Sequence, residues 1–368
     1  MNNTIGNLIT LTVFGESHGP AIGGVLDGLP PGLVVDEAYI ASQMDLRRAV
    51  GKISTGRHEA DVPKFLSGVK NGRTEGTPMA FMIRNSDVKR SDYDMLAETA
   101  RPSHADYTGH VKYSGFQDAS GGGHFSGRLT AVITAAGAIL RQALEQKGIL
   151  IGTHIRSLHG IEDDPFLQNE LVQQIRALNA KDFAVLNEET GKQMIAEIEH
   201  AASLHDSLGG ILETAVSGLP AGIGEPMFDS LESRLSHALF SIPAVKGVEF
   251  GSGWELAQMY GSEANDAFGI EDGQVITLTN HNGGINGGIS NGMPVLFRTV
   301  IKPTPSIARS QKTVNFRTME ETEITIKGRH DPAIVHRARV VQDTMTALVL
   351  ADLLAQHFGL MWLKEDTL

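Results

Sequence analysis

Glycine is unevenly spread along this chain, and the unevenness limits what it can fold into. There are 41 glycines among 368 residues, about 11% against an average of ~7%. They concentrate in residues 15–32, 120–127 and 283–292. Glycine reaches backbone conformations closed to other residues and lets another group approach the main chain closely. Each cluster also carries Ser, His, Asn or Arg, so these three stretches are where a polar ligand or a tight chain crossing is expected.

Between the clusters the pattern is mixed. Residues 8–14, 81–83, 210–216 and 294–301 are short, apolar and rich in β-branched side chains, and read as strands. Asp36 reads as the N-cap of a short helix with Ile40 and Met44 on one face. Residues 129–144 are apolar and Ala-rich, the strongest helix signal. Residues 160–205 are polar and mostly helical in pattern, with Glu197, Glu199 and His200 facing solvent. Asp229 could cap a helix carrying Leu231, Leu235 and Leu239, residues 101–110 read as a loop, and residues 341–357 read as a final amphipathic helix. Strands and helices come in groups rather than in strict alternation, which favours α+β over a doubly wound parallel sheet. Length alone suggests two or three units of ~150 residues. No repeat, linker or composition shift divides the chain, so residues 1–368 are expected to form a single domain.

Composition removes several functions. Without cysteine, disulfides, thiolate nucleophiles, thiolate zinc and iron–sulfur sites are all excluded. That fits a reducing compartment, and no signal peptide is evident, so a cytoplasmic location is expected. Residues 129–140 stop at Arg141, short of the ~20 apolar residues that a membrane span needs. The net charge of −12 argues against nucleic acid held by bulk charge. An anionic ligand would need a local basic cluster.

Such clusters exist, each with a plainer alternative. Arg47 and Arg48, with Lys52 and Arg57, could grip phosphate or carboxylate, or could be a solvated helix end. Gly15-Glu16-Ser17-His18-Gly19 matches the nucleophile elbow of serine hydrolases. That elbow must run into a helix, whereas Gly19-Pro20 and Gly23-Gly24 point to a loop or another strand. His18 is then a proton donor or acceptor, or simply part of a turn. In Arg101-Pro102-Ser103-His104-Ala105-Asp106 the carboxylate could orient the imidazole. His104, Asp106 and His110 lack a zinc frame, so no metal is expected. Residues 120–128, a triple glycine followed by His124-Phe125-Ser126-Gly127-Arg128, could offer backbone amides to an anion, or serve close packing. They match neither a Walker A loop nor a dinucleotide fingerprint. The 283–292 cluster and Lys302-Pro303-Thr304-Pro305-Ser306 could face a large polar ligand, or form a bulged turn. Asp331, in Lys327-Gly328-Arg329-His330-Asp331-Pro332, is a candidate base or a charged surface residue.

Taken together and in order, these motifs, with Ser241-Ile242-Pro243-Ala244-Val245-Lys246-Gly247, resemble those of the chorismate synthase family from about residue 4 to residue 354. The resemblance implies a β–α–β sandwich with helices between antiparallel sheets, assembled as a homotetramer. It implies a lyase that eliminates phosphate from 5-enolpyruvylshikimate 3-phosphate in an anti-1,4 sense, giving chorismate for aromatic amino acid biosynthesis. Reduced FMN (FMNH2) is needed although no net oxidation occurs, because the hydrogen lost is not beside a carbonyl. A reduced flavin can lend electron density to expel phosphate, and its N5 can take up the hydrogen. By the same resemblance His18 protonates the leaving phosphate, His104 balances charge beside the flavin, and Asp331 assists at N5. Arg47, Arg48, Arg128 and Arg337 would hold the substrate, with Arg101 and Arg57 as further candidates. His124, Phe125, Ser126, Pro243, Ala244, Gly287, Lys302 to Ser306 and Arg329 would contact FMN. NADPH could serve as an indirect reductant, with Arg48 at its phosphate. No reductase domain is visible, so an external flavin reductant is expected, and neither nucleic acid nor a membrane is an expected partner.

The chain also departs from that family. Many members carry Arg-Ser-Ser-Ala-Arg-Glu-Thr after the triple glycine, where this chain has His124-Phe125-Ser126-Gly127-Arg128-Leu129-Thr130. The usual Arg-Arg-x-Pro-Gly turn is Arg47-Arg48-Ala49-Val50-Gly51, and a second family arginine is Ser54. Two other readings remain open: a hydrolase using Ser17, and a glycine-rich module that binds a metabolite without turnover.

Overall fold

The computed structural model describes residues 3–49, 51–54, 61–85, 98–326 and 331–364. Two five-stranded sheets dominate it. In the first the order is Thr4–Ile5, Thr10–Gly15, Ala21–Asp27, Met79–Arg84 and Lys64–Phe65. In the second it is Val245–Phe250, Val295–Ile301, Gly210–Ser217, Leu150–Leu158 and Ile161–Glu162. Every pairing within both sheets is antiparallel.

Two long helices, Thr130–Gln146 and Val335–Phe358, lie between the sheets. The first packs on the first sheet: a Cβ at Gly24 would come 2.7 Å from a Val132 methyl. The second packs on the second sheet, where Asp343 accepts a 2.6 Å bond from the Thr153 hydroxyl. The helices touch at Gly137, where a Cβ would sit 2.3 Å from the Thr344 carbonyl oxygen. Gly137 therefore lets the two helices approach closely, and Ala131, Ala135, Ala138, Ile139, Leu140 and Leu348 are all buried in the same core. Burying each Leu or Ile side chain of this kind contributes ~1.5–3 kcal/mol. Strand alternation puts Thr153 inward and its neighbour Gly152 outward against Ile175 of the Leu171–Asn179 helix. The expected α+β sandwich is therefore present. Among the described residues no helix is long and apolar enough to cross a membrane.

Several local readings change. The Val335–Phe358 helix is buried on every side, not amphipathic, because it is the central layer. Two of its polar residues are paired inside: Asp343 with Thr153 and Arg141, and Gln342 with Thr299 and Thr214. The strand expected from residue 8 starts at Thr10, since the Asn7, Leu8 and Ile9 amides donate to Asp352 of that helix instead. Ser230, not Asp229, caps Leu231–Leu239. Residues 101–110 are not all loop, since Asp106–Lys112 is helical. Within residues 283–292 the chain makes two short paired strands, Ile285–Asn286 and Ile289–Ser290.

Candidate active site

The triple glycine organises the site. Gly121, Gly122 and Gly123 have φ of 62°, 103° and 52°, all in the region that favours glycine. The turn they form lies against two imidazoles. A Cβ at Gly121 would fall 1.9 Å from His18 Cε1, and one at Gly122 would fall 3.3 Å from His104 Cε1. The Gly123 carbonyl accepts the Ser17 amide at 3.1 Å, and His124 Nδ1 meets the Gly15 carbonyl at 2.8 Å. So the loop clamps the end of the Thr10–Gly15 strand and brings His18 and His104 to one turn. The turn at residues 15–19 leads into the Ala21–Asp27 strand, not the helix that a nucleophile elbow requires. His18 is 3% exposed, and its Nδ1 lies 3.1 Å from the Ser17 hydroxyl.

His104 is oriented from behind. Its Nδ1 lies 2.7 Å from Asp106 Oδ1. A carboxylate accepts, so Nδ1 carries the proton and Nε2 is the nitrogen that can act elsewhere. Arg101 donates to both oxygens of Asp106, at 2.6 and 2.8 Å. Burial opposes the charge on Asp106, yet the bonds from Arg101 and His104 hold its carboxyl well below the usual carboxylate range. Arg101, expected as a further substrate ligand, is instead engaged in fixing this carboxylate. The His110 ring lies 4.7 Å from that of Phe316. Among the described residues no group of three or more His, Asp or Glu is placed to hold a metal.

A guanidinium cluster follows directly along the chain. Arg128 pairs with Asp61 and donates to Asn85 Oδ1 at 3.1 Å. Arg47 pairs with the other oxygen of Asp61 at 2.8 Å and donates to Thr130 Oγ1 at 3.1 Å. Arg337 donates to the Arg47 carbonyl and to Asp331, both at 2.7 Å. Beside it, burial first, then the Arg337 charge, pushes His336 down to about 4, so this imidazole is neutral near neutral pH, with Nε2 2.7 Å from the Ser54 hydroxyl. Arg48 does not join its neighbour. It pairs with Asp45 at the surface, both side chains about half exposed.

A third group borders His104. Lys302 donates from Nζ to the Ser103 carbonyl at 2.7 Å, and from its amide to the Ala244 carbonyl at 2.9 Å. Burial, then the nearby Lys246 ammonium, draw Lys302 below its ordinary pKa. The Thr304 carbonyl accepts the Ser207 hydroxyl, and Ser306 is buried. Pro243, Pro303 and Gly287 are exposed, and Phe125 is partly exposed near Tyr113. Ser126 caps the turn at Arg128. Gly287 belongs to the short 285–290 hairpin, whose Gly288 lies against Ser230, and a Cβ at Gly287 would meet open space. Arg329 and Arg57 lie outside the described residues.

Sequence reasoning missed Asp61, Thr130 and Asn85, which carry no motif, and they enter only because the arginines need acceptors. It could have flagged Asp61, an acid in a stretch otherwise noted for its cations.

Comparison with known proteins shows the family. The sequence profile of the family described as "Chorismate synthase" matches residues 9–355. A chorismate synthase of Methanosarcina barkeri is 44% identical over 351 residues, 95% of this chain and 95% of the relative. One from Dehalococcoides mccartyi is 45% identical over 356 residues, 96% of each. A solved structure described as "Crystal Structure of Chorismate Synthase" superposes with a TM-score of 0.76 at 28% identity, covering 96% of this chain and 94% of the other. The chain therefore belongs to the chorismate synthase family, the carbon–oxygen lyases that supply chorismate in the shikimate pathway.

Proposed function

We propose that this chain carries out the family's reaction as an FMNH2-dependent anti-1,4 elimination of phosphate from 5-enolpyruvylshikimate 3-phosphate. The observation that carries the reading is the meeting of His18 and His104 at one triple-glycine turn that runs on to Arg128.

The residues present suit a flavin mononucleotide. Lys302 and Lys246 repel one another beside His104, so an anion is welcome there. The Thr304 hydroxyl oxygen is buried and makes no hydrogen bond. Lys302, Thr304, Ser306 and Ala244 would hold the group on one side, with His124, Phe125 and Ser126 on the other. Bound there in its reduced form, the flavin would supply the electron density that lets phosphate leave an allylic carbon.

The chain's own groups do the rest. Arg47, Arg128 and Arg337 neutralise the substrate's phosphate and carboxylates, each charge-assisted hydrogen bond contributing ~1.5–3 kcal/mol. His18 gives its proton to the departing phosphate oxygen, a role worth ~10²–10⁴-fold in rate. His104, steadied by Asp106, holds a proton beside the isoalloxazine ring, and Asp331, anchored by Arg337, assists proton transfer at N5. Arg48, open to solvent, would meet NADPH if that nucleotide serves as indirect reductant. An external reductant fits a chain in which the single large core spans both sheets and both central helices, which also supports one domain over residues 1–368. The exposed apolar side chains of Trp254, Tyr260, Ile270 and Val275 support assembly into a homotetramer. A cytoplasmic place suits a biosynthetic lyase.

The test is anaerobic phosphate release from the substrate with dithionite-reduced FMN, against oxidised FMN without an electron source. Turnover is expected only with the reduced form. Equal turnover with oxidised flavin contradicts the proposal.

A further inference from the structure

The guanidinium cluster is organised around a residue to which no role has yet been given. Asp61 is 7% exposed, and its two carboxylate oxygens are divided between two arginines: Oδ2 accepts from Arg47 Nη1 at 2.8 Å, and Oδ1 accepts from Arg128 Nη1. Those arginines come from different parts of the fold. Arg47 follows the Glu37–Asp45 helix, and Arg128 lies in the turn ahead of Thr130–Gln146. The Asp61 backbone has φ of 46°, a left-handed conformation that costs an L residue energy and that Asp and Asn tolerate better than most. Strain of this kind persists only where the surroundings enforce it. Cations crowd the spot. Burial draws the Arg47 guanidinium down to about 10, Asp61 opposes that, and the Arg337 and Arg128 charges add to it.

Resting on the elimination reading above, we propose that Asp61 is a positioning residue: it presets the Arg47 and Arg128 forks for the substrate's anionic groups and blunts their grip on free phosphate. A fork ordered before the substrate arrives loses less freedom on binding and meets the leaving group in reactive alignment. A fork without its internal carboxylate binds any small anion more readily, in poses that do not react.

Asp61→Asn keeps the shape and the tolerance of positive φ but removes the charge. In the anaerobic assay with reduced FMN, kcat is expected to fall by ~10²-fold, the scale of an ångström-sized misplacement. KM should not rise, and inhibition by inorganic phosphate should strengthen by about tenfold, the scale of one charge-assisted bond. Asp61→Glu should restore wild-type phosphate sensitivity and recover part of kcat. A purely structural role predicts a lower melting temperature with unchanged kcat and unchanged phosphate inhibition. That result overturns the proposal, as does a rise in KM with kcat intact. If neither variant folds, NMR of the arginine Nη–H signals, the groups that donate to Asp61, decides in the wild-type enzyme. Sharp, solvent-protected signals from Arg47 and Arg128 without phosphate support preset forks; signals that sharpen only as phosphate is added refute them. A wild-type enzyme that releases no phosphate removes the elimination reading alone, and the same NMR signals still judge Asp61.

Discussion

Replacing Gly121 by alanine should disable the proton donor while sparing the fold. The new Cβ would lie 1.9 Å from His18 Cε1 and 2.2 Å from its Nδ1. Carbon atoms rest at ~3.5–4.0 Å, so the imidazole or the turn must retreat by roughly 1.5–2 Å. Alanine at the native φ of 62° adds ~1–2 kcal/mol of backbone strain. A donor displaced that far no longer reaches an oxygen that it must approach within ~2.6–3.2 Å. The rate should therefore drop by most of the ~10²–10⁴-fold that a placed acid supplies. The assay is anaerobic phosphate release with reduced FMN, alongside thermal melting and FMN binding. Gly122→Ala is the matched comparison. Its φ of 103° is also unfavourable, but the added Cβ reaches only 3.3 Å from His104 Cε1, so the ring need shift by only a few tenths of an ångström. Gly121→Ala should be the slower enzyme of the two. A folded Gly121→Ala protein with wild-type kcat would refute the reasoning.

Four further outcomes follow from the same structure. His154 is buried between Asp163 at 2.9 Å and Glu213 at 3.0 Å; burial disfavours its charge, but the two carboxylates outweigh it and raise its pKa above 6.5. Its stabilisation is therefore complete below about pH 6.5 and fades as pH rises through the raised value, so melting temperature should fall more steeply with alkaline pH in the wild type than in His154→Gln; parallel curves would contradict this. His336 works in the opposite sense, because its depressed pKa of about 4 means that stability is lost as pH falls below about 6.5, a loss that His336→Gln should lessen in acid melting curves. Gly137→Ala drives a Cβ to 2.3 Å from the Thr344 carbonyl oxygen and should cost ~1–3 kcal/mol in urea unfolding, whereas an unchanged midpoint would mean that the central helices can separate freely. Arg48→Ala removes an exposed pair with Asp45 and should shift stability by less than ~1 kcal/mol, while Arg47→Ala strips a buried partner from Asp61 and should cost ~3–5 kcal/mol.

The layers of the fold were legible where periodicity is strong. Thr130–Gln146, Glu37–Asp45 capped by Asp36, and the strands Met79–Arg84 and Val295–Ile301 match the expected positions within a few residues. The Val335–Phe358 helix was misread because its interior polar residues mimic a solvated face. Only the tertiary partners of Asp343, Gln342 and Asp352 show that those groups are satisfied inside. The strand start at Thr10 moved for a similar reason, since a carboxylate more than three hundred residues away captures the preceding amides. At the site, His18 stood out by its glycine-rich surroundings and His104 by the carboxylate two residues on, and the structure brings both to the same turn. The arginines could not be sorted by sequence: Arg47 and Arg48 are adjacent, yet one is buried against Asp61 and the other faces solvent. Which of two neighbouring side chains turns inward depends on the acceptors that other segments provide, and those segments are distant in the chain.

The central claim is that two imidazoles fixed by one glycine turn manage the protons of this elimination. A crystal structure of the enzyme with oxidised FMN and 5-enolpyruvylshikimate 3-phosphate measures it most directly. His18 Nε2 should lie within about 3 Å of a phosphate oxygen, with His104 Nε2 directed at the flavin. Both imidazoles turned away from the two ligands, with phosphate bound elsewhere, would contradict the account.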